Sequence, residues 1–156
     1  MDNRNLQEIV KQVVNAVSSS NLSLDEARRI VRRVEEEAER IGVKAVVAAS
    51  NSGANTILVE CMDDAYIASY DIAVNKAFTS VSLKMPTKTL KTLAQPGGDL
   101  YGIQNTNNGR IVIFGGGVPL VRNGKVIGGI GVSGGSEEQD TYLGDFVLKV
   151  FENGDF

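Results

Sequence analysis

Histidine and tryptophan are absent from the 156-residue sequence, cysteine occurs once and proline three times. Without imidazole there is no Ser-His-Asp or Cys-His nucleophile system and no imidazole haem ligand, and most zinc sites are excluded. The lone Cys61 cannot close an internal disulfide. Placed in a predicted strand, it reads as a small buried hydrophobe rather than a nucleophile. Neither sign of charge forms a long block: 16 Lys+Arg stand against 19 Asp+Glu, for a net charge of −3. Nothing in that pattern tracks a phosphate backbone, so no nucleic-acid partner is expected. Long hydrophobic runs are missing too, since no window of about 18 apolar residues could span a bilayer. Asp2, Arg4, Glu8 and Lys11 interrupt what a signal peptide would need as an apolar core. The expectation is a cytoplasmic protein with no membrane partner.

What the chain does have is divided unevenly. Fifteen of its 17 glycines lie from Gly97 onward, whereas residues 1–44 contain only Gly42. Leu6, Ile9, Val10, Val13, Val14 and Val17 recur at i, i+3, i+4, i+7, i+8 and i+11, one stripe of a 3.6-residue helix. Ser18, Ser19, Ser20 and Asn21 compete with helical backbone bonds and suit a flexible joint. Ser23 or Asp25 then caps a second helix with Ala27, Ile30, Val31, Val34, Ala38 and Ile41 on its apolar face, closed by Gly42. The chain divides accordingly into residues 1–21, an amphipathic helix and linker, and residues 22–156, one domain.

Residues 45–49 and 56–62 flank turn chemistry at Asn51, Ser52, Gly53 and Asn55, which predicts a hairpin. Residues 67–83 fit a helix with Ile72, Ala73, Lys76, Ala77 and Ser80 on one side. Pro86 and Thr87 open a shorter one, followed by a loop at Gln95, Pro96, Gly97 and Gly98. Residues 111–114, 118–122 and 125–132 read as three strands, the last two joined by Asn123-Gly124, a strong two-residue hairpin signal. The tail from residue 137 returns to helical spacing through Tyr142, Phe146, Val147 and Val150. The order αα-ββ-αα-βββ-α predicts an α+β fold around an antiparallel five-stranded sheet.

Gly129, Gly131 and Gly134 match G-x-G-x-x-G, but a dinucleotide site needs a parallel strand after the helix, with an acidic residue for the ribose, and no such strand follows. Gly134 and Gly135 either offer N–H groups to an anion at a helix N-terminus or form a turn capped by Ser136. Gly115, Gly116 and Gly117 permit a bulge or the close approach of a ligand, or else simply turn the chain. Glu137, Glu138 and Asp140 suit the first turn of a helix whether or not they act chemically. Asp63 and Asp64 read as turn residues, and no metal site is expected. Lys76 either buries its ammonium toward an anionic group or snorkels to solvent.

The run 22–42, Met62-Asp63, Asp71-Ile72-Ala73 with Lys76-Ala77, Gln95-Pro96-Gly97-Gly98 with Leu100-Tyr101-Gly102-Ile103, the segment 113–120 containing Gly-Gly-Gly-Val-Pro-Leu, and the segment 127–135 containing Gly-Val-Ser-Gly-Gly together resemble the GlcG/HbpS family of haem-binding or haem-degrading proteins. The same residues are similar to the C-terminal half of PduO-type corrinoid adenosyltransferases. The resemblance implies profilin-like α-β-α layers, a homo-oligomer, and haem, a corrinoid or a related cofactor as ligand. It places the ligand against Gln95, Pro96, Gly97, Gly98, Tyr101, Gly115, Gly116, Gly117, Ser133, Gly134 and Gly135. With no histidine available, Met62, Met85, Tyr66, Tyr101 or Cys61 would have to hold an iron. Asp64 stands where the family usually has glycine.

Residues 1–21 resemble an encapsulation peptide of a bacterial microcompartment, whose stripe at residues 6–17 would dock on a shell or cargo protein; the alternative is a helix packed on its own domain or between subunits. Two further readings stay open. One is an enzyme acting on a small carbonyl or hydroxyl compound, with Lys76, Glu138 or Asp140 as acid or base. The other is an oligomeric scaffold acting through its surface, whose sheet exposes one face to be covered by helices or by another subunit.

Overall fold

A computed structural model describes residues 3–18 and 20–156. Nine principal elements follow in order: α1 Asn3–Ser18, α2 Leu24–Arg40, β1 Val46–Asn51, β2 Thr56–Cys61, α3 Ile67–Leu83, α4 Thr87–Leu93, β3 Gly117–Arg122, β4 Lys125–Ser133 and α5 Glu137–Asn153. The strands form one antiparallel sheet in the order β2-β1-β4-β3.

Local chemistry sets the boundaries. Ser23 caps α2 in a reciprocal box: its hydroxyl accepts the Glu26 N–H while the Glu26 carboxylate accepts the Ser23 N–H, each at 3.1 Å. Gly42, at φ 75°, takes the left-handed turn that closes that helix. Asn123 and Gly124, at φ 52° and 74°, make the tight link between β3 and β4, with Arg122 directly opposite Lys125.

The sheet has four strands, not five. Residues 111–114 form no strand, because neighbouring backbone groups are taken by α3. The Val112 N–H donates to Thr79 Oγ1 at 3.0 Å, and the Thr79 hydroxyl donates to the Arg110 carbonyl at 3.3 Å. Pairing begins within the glycine triplet, where the Val132 N–H donates to the Gly116 carbonyl and Gly117 stands opposite Gly131. Cys61 also departs from expectation. It ends the outer strand β2 and is exposed.

The two faces of the sheet are packed differently. On one, Ala27, Ile30, Val31 and Val34 of α2 and Leu143 and Val147 of α5 meet Val47, Ala49, Leu120, Ile130 and Val132 in a single core. Each fully buried aliphatic side chain there contributes about 1.5–3 kcal/mol. On the other, α3 lies almost directly on the strands: Ala73 and Ala77 pack with Val46 and Ala48. A Cβ on Gly131 would fall 2.0 Å from the Ala73 carbonyl oxygen, and one on Gly129 would fall 2.6 Å from Ser80 Oγ. The G-x-G pair is thus a seat for the α3 backbone, and no dinucleotide fingerprint. Among the described residues helices lie on both faces of the sheet, with the outer strand β2 left partly exposed.

α1 stands apart from this packing. Leu6, Ile9, Val10 and Val13 are all 41–56% exposed. Val17, the last member of the stripe, and Ser19, in the expected joint, lie outside the described side chains. Asn21 is already tied to the domain, its side-chain oxygen accepting the Ser52 N–H at 2.8 Å. Among the described residues no helix is long and apolar enough to cross a membrane.

Candidate functional site

Lys76 sits in the middle of α3, on the face pressed to the sheet, and its side chain is 0% exposed. Its ammonium donates to Asp140 Oδ2 at 2.8 Å and to the Val132 carbonyl at 2.7 Å. The Phe114 ring centroid lies 5.2 Å from Nζ. The snorkelling alternative therefore fails: the lysine is buried and paired. Burial pushes its pKa below the ordinary value, against the Asp140 carboxylate, which pulls it up. Room for the ammonium comes from Gly116, where a Cβ would stand 2.7 Å from Nζ.

Asp140 reaches this position because α5 is capped by Ser136 and Gln139, which bring its first turn over the end of β4. The second carboxylate oxygen of Asp140 accepts the Gly135 N–H at 2.9 Å. The helix N-terminus expected to offer donors to an outside anion thus has an internal carboxylate on one of them. Glu137 is held by Lys91 at 2.6 Å, which lowers its pKa, and its other oxygen accepts the Gly115 N–H at 3.4 Å.

Two adjoining cavities open beside this group. One, of about 280 Å³, is walled by Tyr66, Ser69, Ile72, Phe114, Ser133, Gly134, Gly135, Glu137 and Asp140 among others. The second, of about 450 Å³, shares Tyr66, Gly134 and Gly135 and adds Val43, Lys44, Asp64, Ser136 and Gln139. Ser69 and Ser133 are 3% and 4% exposed and hydrogen-bond to one another at 3.1 Å. Asp64, at φ 67°, holds the left-handed conformation that glycine adopts more readily.

The structure brings Ser133, Gly134, Gly135, Asp140 and Lys76 together, with Gly115, Gly116 and Gly117 behind them. It leaves others elsewhere. Gln95, Pro96 and Gly97 are exposed in their turn, Gly98 is pressed on the Leu93 carbonyl, and Tyr101 is 66% exposed; none of them walls either cavity. Glu138 lies in a groove with Lys88, Lys91 and Thr141. Of the expected iron ligands, Tyr66 walls both cavities, whereas Cys61 and Met62 line a separate groove with Glu35 and Glu39. Among the described residues no group of three His, Cys, Asp or Glu could hold a metal ion. Ser69 and Phe114 were not anticipated. Ser69 stands seven residues before Lys76, two turns up the same helix face, and that spacing was the available signal.

Comparison with known proteins gives this arrangement its relatives. The model of the family described as "Haem degrading protein HbpS-like" matches residues 22–145. The chain belongs to the HbpS-like family. This HbpS-like chain is 46% identical over 132 residues to a 15.0 kDa Citrobacter freundii protein of the dhaT-dhaS intergenic region, covering 85% of the chain and 93% of the relative. It is 34% identical over 153 residues to the corrinoid adenosyltransferase PduO of Citrobacter freundii, covering 94% of the chain but 46% of that relative, so it spans about half of PduO. A solved PduOC:heme complex matches the HbpS-like fold with a TM-score of 0.79 at 36% identity, covering 83% of this chain and 94% of the other.

Proposed function

We propose that the chain is a small-ligand-binding domain whose ligand seats in the two cavities that meet at Tyr66, Gly134 and Gly135. The observation that carries this is that the two cavities share Tyr66, Gly134 and Gly135 as walls, and that the smaller is also walled by Asp140, which the buried Lys76 holds in place. Haem or a corrinoid is the ligand class favoured by kinship with PduO and with the PduOC:heme complex. The donor set fits an iron porphyrin in one way. With no imidazole in the chain, the Tyr66 phenol is the cavity-wall group suited to an iron, and bound haem would supply a metal open to such a ligand. Tyr66 opens α3 and is 73% exposed, so its oxygen is free to approach from the cavity mouth.

Titrating the full chain with haem and separately with cobalamin, while following the visible absorption band, tests the reading. A saturable band shift with haem that is lost in Tyr66→Phe supports it; no specific change with either compound overturns the tetrapyrrole assignment. The enzyme alternative draws less support, because Lys76 and Asp140 neutralise each other and Glu138 lies apart from them.

A second reading concerns α1. Its exposed stripe at Leu6, Ile9, Val10 and Val13 favours a docking helix for a shell or cargo protein of a bacterial microcompartment over a helix packed on its own domain.

A further inference from the structure

Asparagine stands directly before glycine at three places, 108–109, 123–124 and 153–154. The pair is chemically self-reactive. Once water or hydroxide takes its proton, the glycine nitrogen attacks the asparagine side-chain carbonyl carbon, and no Cβ on glycine hinders the approach. The N–Cγ bond forms, the Cγ–Nδ2 bond breaks, ammonia leaves, and a succinimide ring remains. Water then opens the ring at either carbonyl, giving aspartate or its isoaspartyl isomer, so that water is consumed and ammonia released in equal amounts.

All three pairs are exposed, so solvent access does not rank them. Asn108 and Asn123 also share the left-handed backbone, at φ 56° and 52°, so main-chain conformation does not separate those two. Hydrogen bonding does. The Gly109 N–H donates to the Thr106 carbonyl at 3.0 Å and the Gly154 N–H to the Phe151 carbonyl at 3.2 Å. Each must give up that bond before its nitrogen can attack. Gly124 lies in the two-residue link between β3 and β4, and among the described residues neither its N–H nor the Asn123 side chain has a hydrogen-bond partner. Charge favours the same pair. Attack passes through an amide anion, which a nearby cation stabilises and a nearby anion opposes. Lys125 follows Gly124 with no anionic partner among the described residues, whereas Asn153-Gly154 lies between Glu152 and Asp155. Arg110, beyond Gly109, is engaged by Asn75 and the Phe78 ring.

We propose that Asn123-Gly124 is a self-modification site, at which the folded chain converts its side-chain amide to a carboxylate ahead of the other two pairs. The isoaspartyl product adds a methylene to the main chain of a turn whose ends, Arg122 and Lys125, stand directly opposite each other. It therefore loosens the hairpin whose second strand ends at Ser133 in the cavity wall.

The test incubates the full chain in mildly alkaline, amine-free buffer, folded and in parallel in guanidinium chloride. Each Asn-Gly peptide is followed by mass spectrometry and by isoaspartyl methyltransferase labelling. In the folded chain, conversion at Asn123 is expected to run about two- to ten-fold ahead of Asn108 and Asn153, the factor that one hydrogen bond is worth. The difference should narrow in denaturant, where no N–H is held. Asn123→Gln, whose longer side chain disfavours ring closure, should remove the labelled hairpin peptide. The ranking itself is read on the parent chain and does not depend on how well that variant folds. Conversion at Asn108 or Asn153 as fast as at Asn123 in the folded chain, a ranking unchanged in denaturant, or a folded chain that stays inert while the denatured chain converts would overturn the inference.

Discussion

An ammonium with no solvent contact depends entirely on its partners, and Lys76 has two acceptors within 2.8 Å. Replacing it by methionine keeps the length of the side chain but leaves Asp140, itself nearly buried, with an unpaired charge. Lys76→Met should cost about 3–5 kcal/mol in urea denaturation. Removing both charges, in Lys76→Met/Asp140→Leu, should recover a good part of that, because the penalty lies in the orphaned charge more than in the lost attraction. A single-variant loss below about 1 kcal/mol would mean that solvent reaches the pair. The sequence placed Lys76 on the buried face of its helix through its neighbours Ala73, Ala77 and Ser80. Its partner lies 64 residues away, and nothing local announces such a pairing.

At the scale of elements, α1 and α2 make opposite predictions. If the stripe of α1 is held for a partner, deleting residues 1–20 should leave the melting temperature nearly unchanged, and a fluorescent reporter fused to those residues should gather into compartments of the native host. Were the stripe packed on the domain, each fully buried residue would contribute roughly 1.5–3 kcal/mol and the deletion would lower stability sharply. On α2, Glu35 is pushed above the ordinary 4.5, first by burial and then by the nearby Glu60 carboxylate. The folded chain therefore holds that proton more tightly than the unfolded chain. Its stabilising contribution is complete below about pH 4.5 and is lost as pH rises through the folded value. Glu35→Gln should melt higher than the parent at pH 7 and converge with it near pH 4. Thermal melts at the two pH values check the sign.

For the whole molecule, helices on both sheet faces leave the edge strand β2 and the start of α3 as the surfaces open to self-association. Tyr66, Ile67 and Tyr70, at the start of α3, are 73%, 97% and 54% exposed, an apolar knob beside the cavity mouth. Light scattering after size exclusion is expected to give a mass above that of one chain, and Ile67→Glu to shift it toward the monomer. A strictly monomeric parent would contradict the homo-oligomer proposed from family resemblance.

By itself the sequence determined what short-range physics controls. Periodicity placed the helices, Ser23 and Gly42 bounded α2, Asn123-Gly124 turned the hairpin, and the absence of histidine removed whole classes of chemistry. Only the tertiary structure decided that residues 111–114 give their hydrogen bonds to α3 instead of a fifth strand. Only there do Gly129 and Gly131 prove to be clearance for a helix, Asp140 and Phe114 come to Lys76, and Ser69 joins Phe114 and Asp140 in one cavity wall. Strand pairing and cavity walls depend on contacts between segments far apart in the chain. A hydrophobic period names the face a residue lies on, but it cannot name what will be found opposite.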